Sequence, residues 1–168
     1  MIQKINILNY KNGLKEYDIQ EEIGNDEIEI GHYYSSFDSL PDVDSFDEKS
    51  QKLVLIDDMV TVKNQSKIEE FFIRSRKKNC SIIYLTQSFY RTPKLIRDNC
   101  TDFAIFNVGS KRELQEISKT VATRIEYKRF VNLYQECVAK KHGFIFISTR
   151  ESELYKHIRC GFTGLLID

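Results

Sequence analysis

Two unbroken apolar runs organise this chain: Leu53-Val54-Leu55-Ile56, closed by Asp57-Asp58, and Ile82-Ile83-Tyr84-Leu85, closed by Thr86-Gln87. Runs without polar alternation are expected of strands buried on both faces, as in a parallel sheet flanked by helices. Between them Ile68, Phe71, Phe72 and Ser75 fall at i, i+3, i+4 and i+7 and predict a helix over roughly 65–78. Arg74, Arg76, Lys77 and Lys78 fill its last turn, where cations suit the negative end of the helix dipole. Pro93 opens a short helical stretch with Leu95 and Ile96. Phe103 to Phe106 predicts another buried strand, and Ser110 with Glu113 predicts a capping box for a helix over about 111–122. A second helix is expected over about 127–140, a strand over 143–148 and an edge strand in the tail, 161–168.

The first part of the chain is patterned more weakly. Ile5 to Leu8 reads as a short strand, Asn12-Gly13 as a turn and Glu21 to Asp26 as an acidic loop. Ile28 to Tyr34 alternates like an edge strand, and residues 38–50, with Pro41 among four Asp and three Ser, read as a connecting loop. From residue 53 onward strands and helices alternate, which predicts a single α/β domain over 1–168 with a mostly parallel sheet; residues 1–27 receive no firm assignment.

Composition narrows the class. A chain of 168 residues suits one domain with a real core. No apolar run approaches the roughly 20 residues that span a bilayer, and the start has no apolar signal segment, so an intracellular protein without a membrane partner is expected. Cys80, Cys100, Cys137 and Cys160 form no CxxC pair, which argues against a zinc site or a disulfide frame. The net charge of zero conceals an asymmetry: residues 1–58 hold 5 Lys/Arg against 14 Asp/Glu, and the remainder carries the compensating excess of base. Such asymmetry suits a nucleic-acid-facing surface, or equally an acidic lobe packed beside a basic one.

Ligands of parallel sheets bind beyond the carboxyl ends of the strands. Asp57, Asp58, Thr86 and Gln87 fall there. Two adjacent carboxylates suit Mg²⁺-nucleotide chemistry, one holding the metal's water shell and the other acting on the attacking water. The plain alternative is a solvated Asp pair opening a loop. Gln87 fits a residue that touches a terminal phosphate or positions water, while Thr86-Gln87 serves equally as a helix cap.

Taken together, Asp57-Asp58, the helix ending in Arg74-Ser75-Arg76, the strand closing in Thr86-Gln87, and Ile96-Arg97-Asp98-Asn99 downstream resemble the genome-packaging ATPases of double-stranded DNA viruses. The resemblance is to the poxvirus, virophage and Polinton-type enzymes within the FtsK/HerA superfamily of P-loop NTPases. It covers about residues 28–163, with 53–107 its specific part. It implies a RecA-like P-loop core, ATP and Mg²⁺ as cofactors, and coupling of hydrolysis to translocation of double-stranded DNA into a capsid. By the same resemblance Asp57 would bind Mg²⁺, Asp58 would be the hydrolytic acid and Gln87 the sensor. Arg74 or Arg76 would be an arginine finger offered to a neighbouring subunit, with Arg97 and Asn99 near that interface or the sensor. Expected partners are a homo-oligomeric ring, viral capsid proteins and a P-loop-bearing chain; the expected location is the host cytoplasm or nucleus at the assembly site, or the virion.

The chain departs from this family at one point. The Gly-x-x-Gly-x-Gly-Lys-Ser/Thr phosphate loop should precede the strand at Leu53, and Gly13, Gly24 and Gly31 have no Gly-Lys-Ser/Thr beside them. The fold is therefore expected to be incomplete at its first strand and phosphate loop. The alternative function is a non-catalytic or degenerate subunit that acts through oligomer interfaces.

Overall fold

The computed structural model describes residues 4–9, 19–23, 26–34, 39–59, 62–153 and 157–165, with backbone alone up to Tyr33 and at Leu165. The chain divides into two compact units, residues 1–99 and 100–168.

The first unit is built on a five-stranded sheet of order β2-β3-β1-β4-β5. Its strands are β1 (Lys4–Asn9), β2 (Ile19–Ile23), β3 (Asp26–Tyr34), β4 (Lys52–Asp57) and β5 (Cys80–Leu85). β1 runs parallel to β3 and β4, and β4 parallel to β5, so the sheet is mostly parallel; only β2 is antiparallel, to β3. Two expectations need correction. The stretch containing Glu21 and Glu22 is a strand, because β3 supplies a partner ladder that overrides its acidic composition. The Ile28 to Tyr34 segment lies inside the sheet, between β2 and β1, and not at its edge. As the Ile5 to Leu8 reading expects, a strand lies at Lys4–Asn9, and it pairs with β4 from Lys4↔Lys52 to Asn9↔Asp57. No phosphate-loop motif follows it in the sequence; the expected Asn12-Gly13 turn lies outside the described residues.

α1 (Ser66–Arg74) covers one face of this sheet. Ile68, Phe71, Phe72 and Ser75 are all buried, as their spacing predicts. Phe72 meets the Tyr84 ring edge-on, with centroids 6.1 Å apart. The helix tightens into a 3₁₀ turn over Ser75–Lys78, which Asn79 ends in the left-handed region at φ 49°. The 38–50 loop is better anchored than its polar composition suggests. Leu40 and Val43 are buried, and Phe46 packs edge-on against Phe71. The short α2 (Lys94–Asn99) packs against α1 and buries Ile96. β5 is not the two-sided buried strand expected from its apolar run. Among the described residues it forms the sheet edge, and Ile83 and Leu85 are 45% and 43% exposed on the face away from α1.

The second unit corrects the expectation of one continuous parallel sheet. β6 (Asp102–Ile105), β7 (Ile145–Ser148), β8 (Ile158–Cys160) and β9 (Gly164–Leu165) form an antiparallel sheet of order β6-β7-β8-β9. α3 (Lys111–Thr120) and α4 (Tyr127–Val138) supply the other layer of its core. Ile105, Ile145, Ile147 and Ile158 are buried with Leu114, Ile117, Phe130 and Tyr134. The predicted Ser110–Glu113 capping box does not close: Ser110 holds the N-cap position without a side-chain capping bond. The Asp102 carboxylate ties two strands together by accepting from Ser148 Oγ at 2.7 Å and from Arg150 at 2.5 Å. Burial raises its pKa, but the bonds from Ser148 and Thr101 and the Arg150 charge outweigh burial and leave it lowered.

Burial holds three of the cysteines in their thiol form. Burial pushes Cys80 and Cys100 up to about 11, and burial aided by a bond with Cys160 pushes Cys137 up to about 12. Each unit of upward shift removes about nine-tenths of the reactive thiolate. These three should therefore react with Ellman's reagent at pH 8 at least about tenfold more slowly in the folded chain than in urea. Labelling of all three at the unfolded rate would contradict the burial assigned to them.

Candidate functional site

β4 and β5 run side by side in parallel and end together. Asp57 pairs in register with Leu85, and the Asp58 N–H donates to the Leu85 carbonyl at 3.1 Å. The polar residues after each strand thus emerge at one end of the sheet. Gln87 Nε2 donates to Asp58 Oδ2 at 3.4 Å, joining the two strand ends through the residues singled out in the sequence. Asp57 and Asp58 are half-buried and Gln87 is exposed, so the carboxylates face a rim that a solvated ligand can reach.

Asp58 adopts φ 52°, the left-handed region that costs a residue with a Cβ about 1–2 kcal/mol. Asp tolerates it better than most side chains. The backbone turn re-aims Asp58 relative to the strand that delivers it, so the two acids do not present themselves equivalently. Such an outlier at a strand end beyond a parallel sheet is where functional strain collects.

Two side chains that the sequence did not single out hold the loop after Asp58. Gln65, buried, donates from Nε2 to the Met59 carbonyl at 2.8 Å and accepts from Tyr84 OH at 3.0 Å. Tyr84 lies on β5, so the loop leaving β4 is pinned to the neighbouring strand. An apolar-run reading assigns Tyr84 to the core and gives Gln65 no role; only the tertiary partners reveal the clamp. On the other side, the Ser88 N–H donates to Thr86 Oγ1 at 3.2 Å, and buried Thr92 donates to the Ser88 carbonyl at 2.9 Å. Thr86 therefore shapes the turn carrying Gln87; the next helix, α2, starts only at Lys94, so it is not a helix cap.

The arginines do not join this cluster. Arg74 and Arg76 precede β5, whereas Asp58 and Gln87 follow the ends of β4 and β5. Six strand residues at about 3.3 Å each put about 20 Å between the two ends of β5. Arg74 is ion-paired with Asp44. Arg76 is exposed, and its side chain has no hydrogen bond or ion pair among the described residues. Arg97 lies on the Gln87 side: its guanidinium sits 5.0 Å from the centroid of the Phe89 ring. Asn99 turns inward and donates to the Leu95 carbonyl at 2.8 Å, closing the end of α2.

The donor set fits part of the implied cofactor. Two carboxylates and a carboxamide oxygen are hard ligands of the kind Mg²⁺ and its water shell take. A cradle of backbone N–H groups with a lysine, which would take the phosphates, is not found among the described residues at this rim. Among those residues no helix is long and apolar enough to cross a membrane.

A family model described as "Poxvirus A32 protein" matches residues 30–157, more than half of the chain. The fold is similar to the crystal structure of B204, the DNA-packaging ATPase from Sulfolobus turreted icosahedral virus. That likeness has a TM-score of 0.61 at 15% identity, over 94% of this chain and 82% of that one. A second structure, the genome-packaging NTPase B204 from Sulfolobus turreted icosahedral virus 2 in complex with ATP-gammaS, aligns at 17% identity with a TM-score of 0.48. It covers 66% of this chain, which spans about half (51%) of its length. No match is found among curated proteins.

Proposed function

The chain belongs to the Poxvirus A32 protein family, and from that premise we propose that it is a subunit of a viral genome-packaging ATPase. The observation that carries this reading is the joined strand end: Asp57 and Asp58 after β4, with Gln87 after β5 bonded to Asp58. In this proposal Asp57 holds the water shell of Mg²⁺. The ion, when bound, neutralises charge on the nucleotide phosphates. Asp58 takes the proton of the attacking water, and Gln87 holds that water and the carboxylate in one orientation. Gln65, bonded to both the Met59 carbonyl and Tyr84, fixes the backbone just after Asp58 to β5. The work done would be the movement of double-stranded DNA into a capsid by a homo-oligomeric ring, at the host-cell assembly site or within the virion. A motor that advances along DNA grips its backbone, so no sequence preference is expected.

The phosphates need a second source of contacts. Most of the grip on a nucleotide's phosphates comes from the loop's backbone N–H groups and lysine, and no Gly-Lys-Ser/Thr is present in the 168 residues. A P-loop-bearing segment therefore has to join this chain for turnover. The same feature favours a second reading, a non-catalytic subunit that contributes only interfaces. Isothermal titration separates them in two steps. The chain alone should give no ATP-Mg²⁺ affinity in the micromolar range, and micromolar binding would overturn the need for a second source. Binding restored by a P-loop segment, with hydrolysis, supports the motor; binding without hydrolysis leaves the interface role.

A further inference from the structure

We propose that the face of the β6–β9 sheet opposite α3 and α4 is a stacking platform for unpaired bases of a single nucleic-acid strand. The sheet's alternation sorts its residues cleanly. Ile105, Ile145 and Ile158 are buried in the core, whereas Ala104, Phe146 and Arg159 form one cross-strand row on the opposite face. Rings extend this row without a break. Phe106 lies 5.1 Å from Phe144, Phe144 4.8 Å from Phe162, and Phe162 5.5 Å from Phe146, between ring centroids. The Arg159 guanidinium then sits 4.6 Å from the centroid of Phe146. Phe162 and Phe106 are 65% and 52% exposed, a large outlay of aromatic surface for a face serving stability alone.

The chemistry of the face selects its occupant. The Arg159 side chain has no hydrogen bond or ion pair among the described residues, and its Nε is buried without a partner. A cation held on an aromatic face, with no ion pair among the described residues, suits a ligand that brings both anionic groups and flat rings. Directly before Phe144 the chain turns through exposed Lys140, Lys141 and His142, the last at φ 61°, so that a basic edge runs into the row of rings. At the same end of the sheet Gly161, at φ 68°, makes the turn that presents Phe162, and its N–H is bonded to the Phe144 carbonyl. A mononucleotide would use one ring; four in succession with a guanidinium match successive bases. Duplex DNA keeps its bases stacked on one another and offers this face only phosphates.

The test uses the whole chain and a fluorescein-labelled 20-nucleotide DNA strand without self-pairing, read by anisotropy at about 0.1 M salt. Phe162→Ala should weaken the strand about tenfold and leave the blunt duplex of the same sequence, which the proposed motor grips by its backbone, within about twofold. An unchanged strand affinity in Phe162→Ala, or an equal loss for strand and duplex, would overturn the platform. Displacement of the strand by millimolar ATP would also overturn it, in favour of a mononucleotide site. Because the chain contains no tryptophan, Phe162→Trp gives a single reporter that does not depend on the alanine variant folding. Its emission should be quenched as the strand is added, and unquenched emission at saturating strand would rule out stacking at this ring.

Discussion

Asp58→Asn should abolish ATP turnover in an assembly completed by a P-loop segment, lowering it by at least about a hundredfold, while nucleotide affinity stays within a few-fold of the parent. The substitution isolates one property. Asn has the size of Asp and tolerates the left-handed backbone that Asp58 holds at φ 52°. Its side-chain oxygen can still accept the bond from Gln87 Nε2, so the joined strand end should persist. What is lost is the negative charge and the ability to take a proton. An acid that acts on the attacking water is felt in the transition state far more than in the bound ground state, so binding and turnover should separate. Single-turnover hydrolysis measured beside titration of nucleotide gives both quantities on one sample. Normal turnover in Asp58→Asn would remove the hydrolytic role from this residue, and with it the main support for the motor. Loss of binding in parallel with turnover would instead make Asp58 a metal ligand in the ground state.

How legible this site is depends on the kind of information each residue carries. β4 and its two acids can be read because an apolar run with an abrupt polar end suits a buried strand and little else. The Ile68, Phe71, Phe72, Ser75 stripe can be read because a helix periodicity repeats the same statement several times. The Gln87–Asp58 contact spans 29 residues and depends on β4 and β5 ending in register; strand pairing of that sort leaves no local trace. The same holds for the Gln65–Tyr84 clamp, where one partner looks like an ordinary amide at the start of a helix and the other like core. The second sheet escapes a sequence reading for a related reason. Phe144-Ile145-Phe146-Ile147 is apolar at every position, as a two-sided buried strand would be. Yet its isoleucines enter the core while Phe144 and Phe146 join the row of rings on the other face. An apolar run says that both faces avoid water, not what lies against each of them. β2 shows the reverse case, acidic residues drawn into a strand by a neighbour's ladder.

The arginines give the other large effect, and here the structure sharpens a choice that the sequence left open. Arg74 is engaged by Asp44, thirty residues upstream, and taking it to another subunit's nucleotide would break that pair. Arg76 has no such tie among the described residues and is exposed on the 3₁₀ turn before β5. Both precede β5, about 20 Å from the end of the sheet where β4 delivers the acids beside the last residue of β5, too far for either to reach its own subunit's Asp58. If Arg76 serves catalysis it must do so in trans, by neutralising charge in a neighbour's transition state. Arg76→Ala should then lower turnover in the completed assembly about a thousandfold with nucleotide binding nearly unchanged, and Arg74→Ala should cost far less. Mixing gives the decisive measurement. In a ring of Arg76→Ala and Asp58→Asn subunits, some interfaces pair an intact Asp58 with an intact Arg76, so activity should reappear although neither variant alone turns over. Recovery should rise and fall with the mixing ratio and peak near equal amounts. Failure of every mixture to recover activity, with rings shown to have exchanged subunits, would exclude a finger in trans. Given the separation along β5, it would leave Arg76 no catalytic part at all.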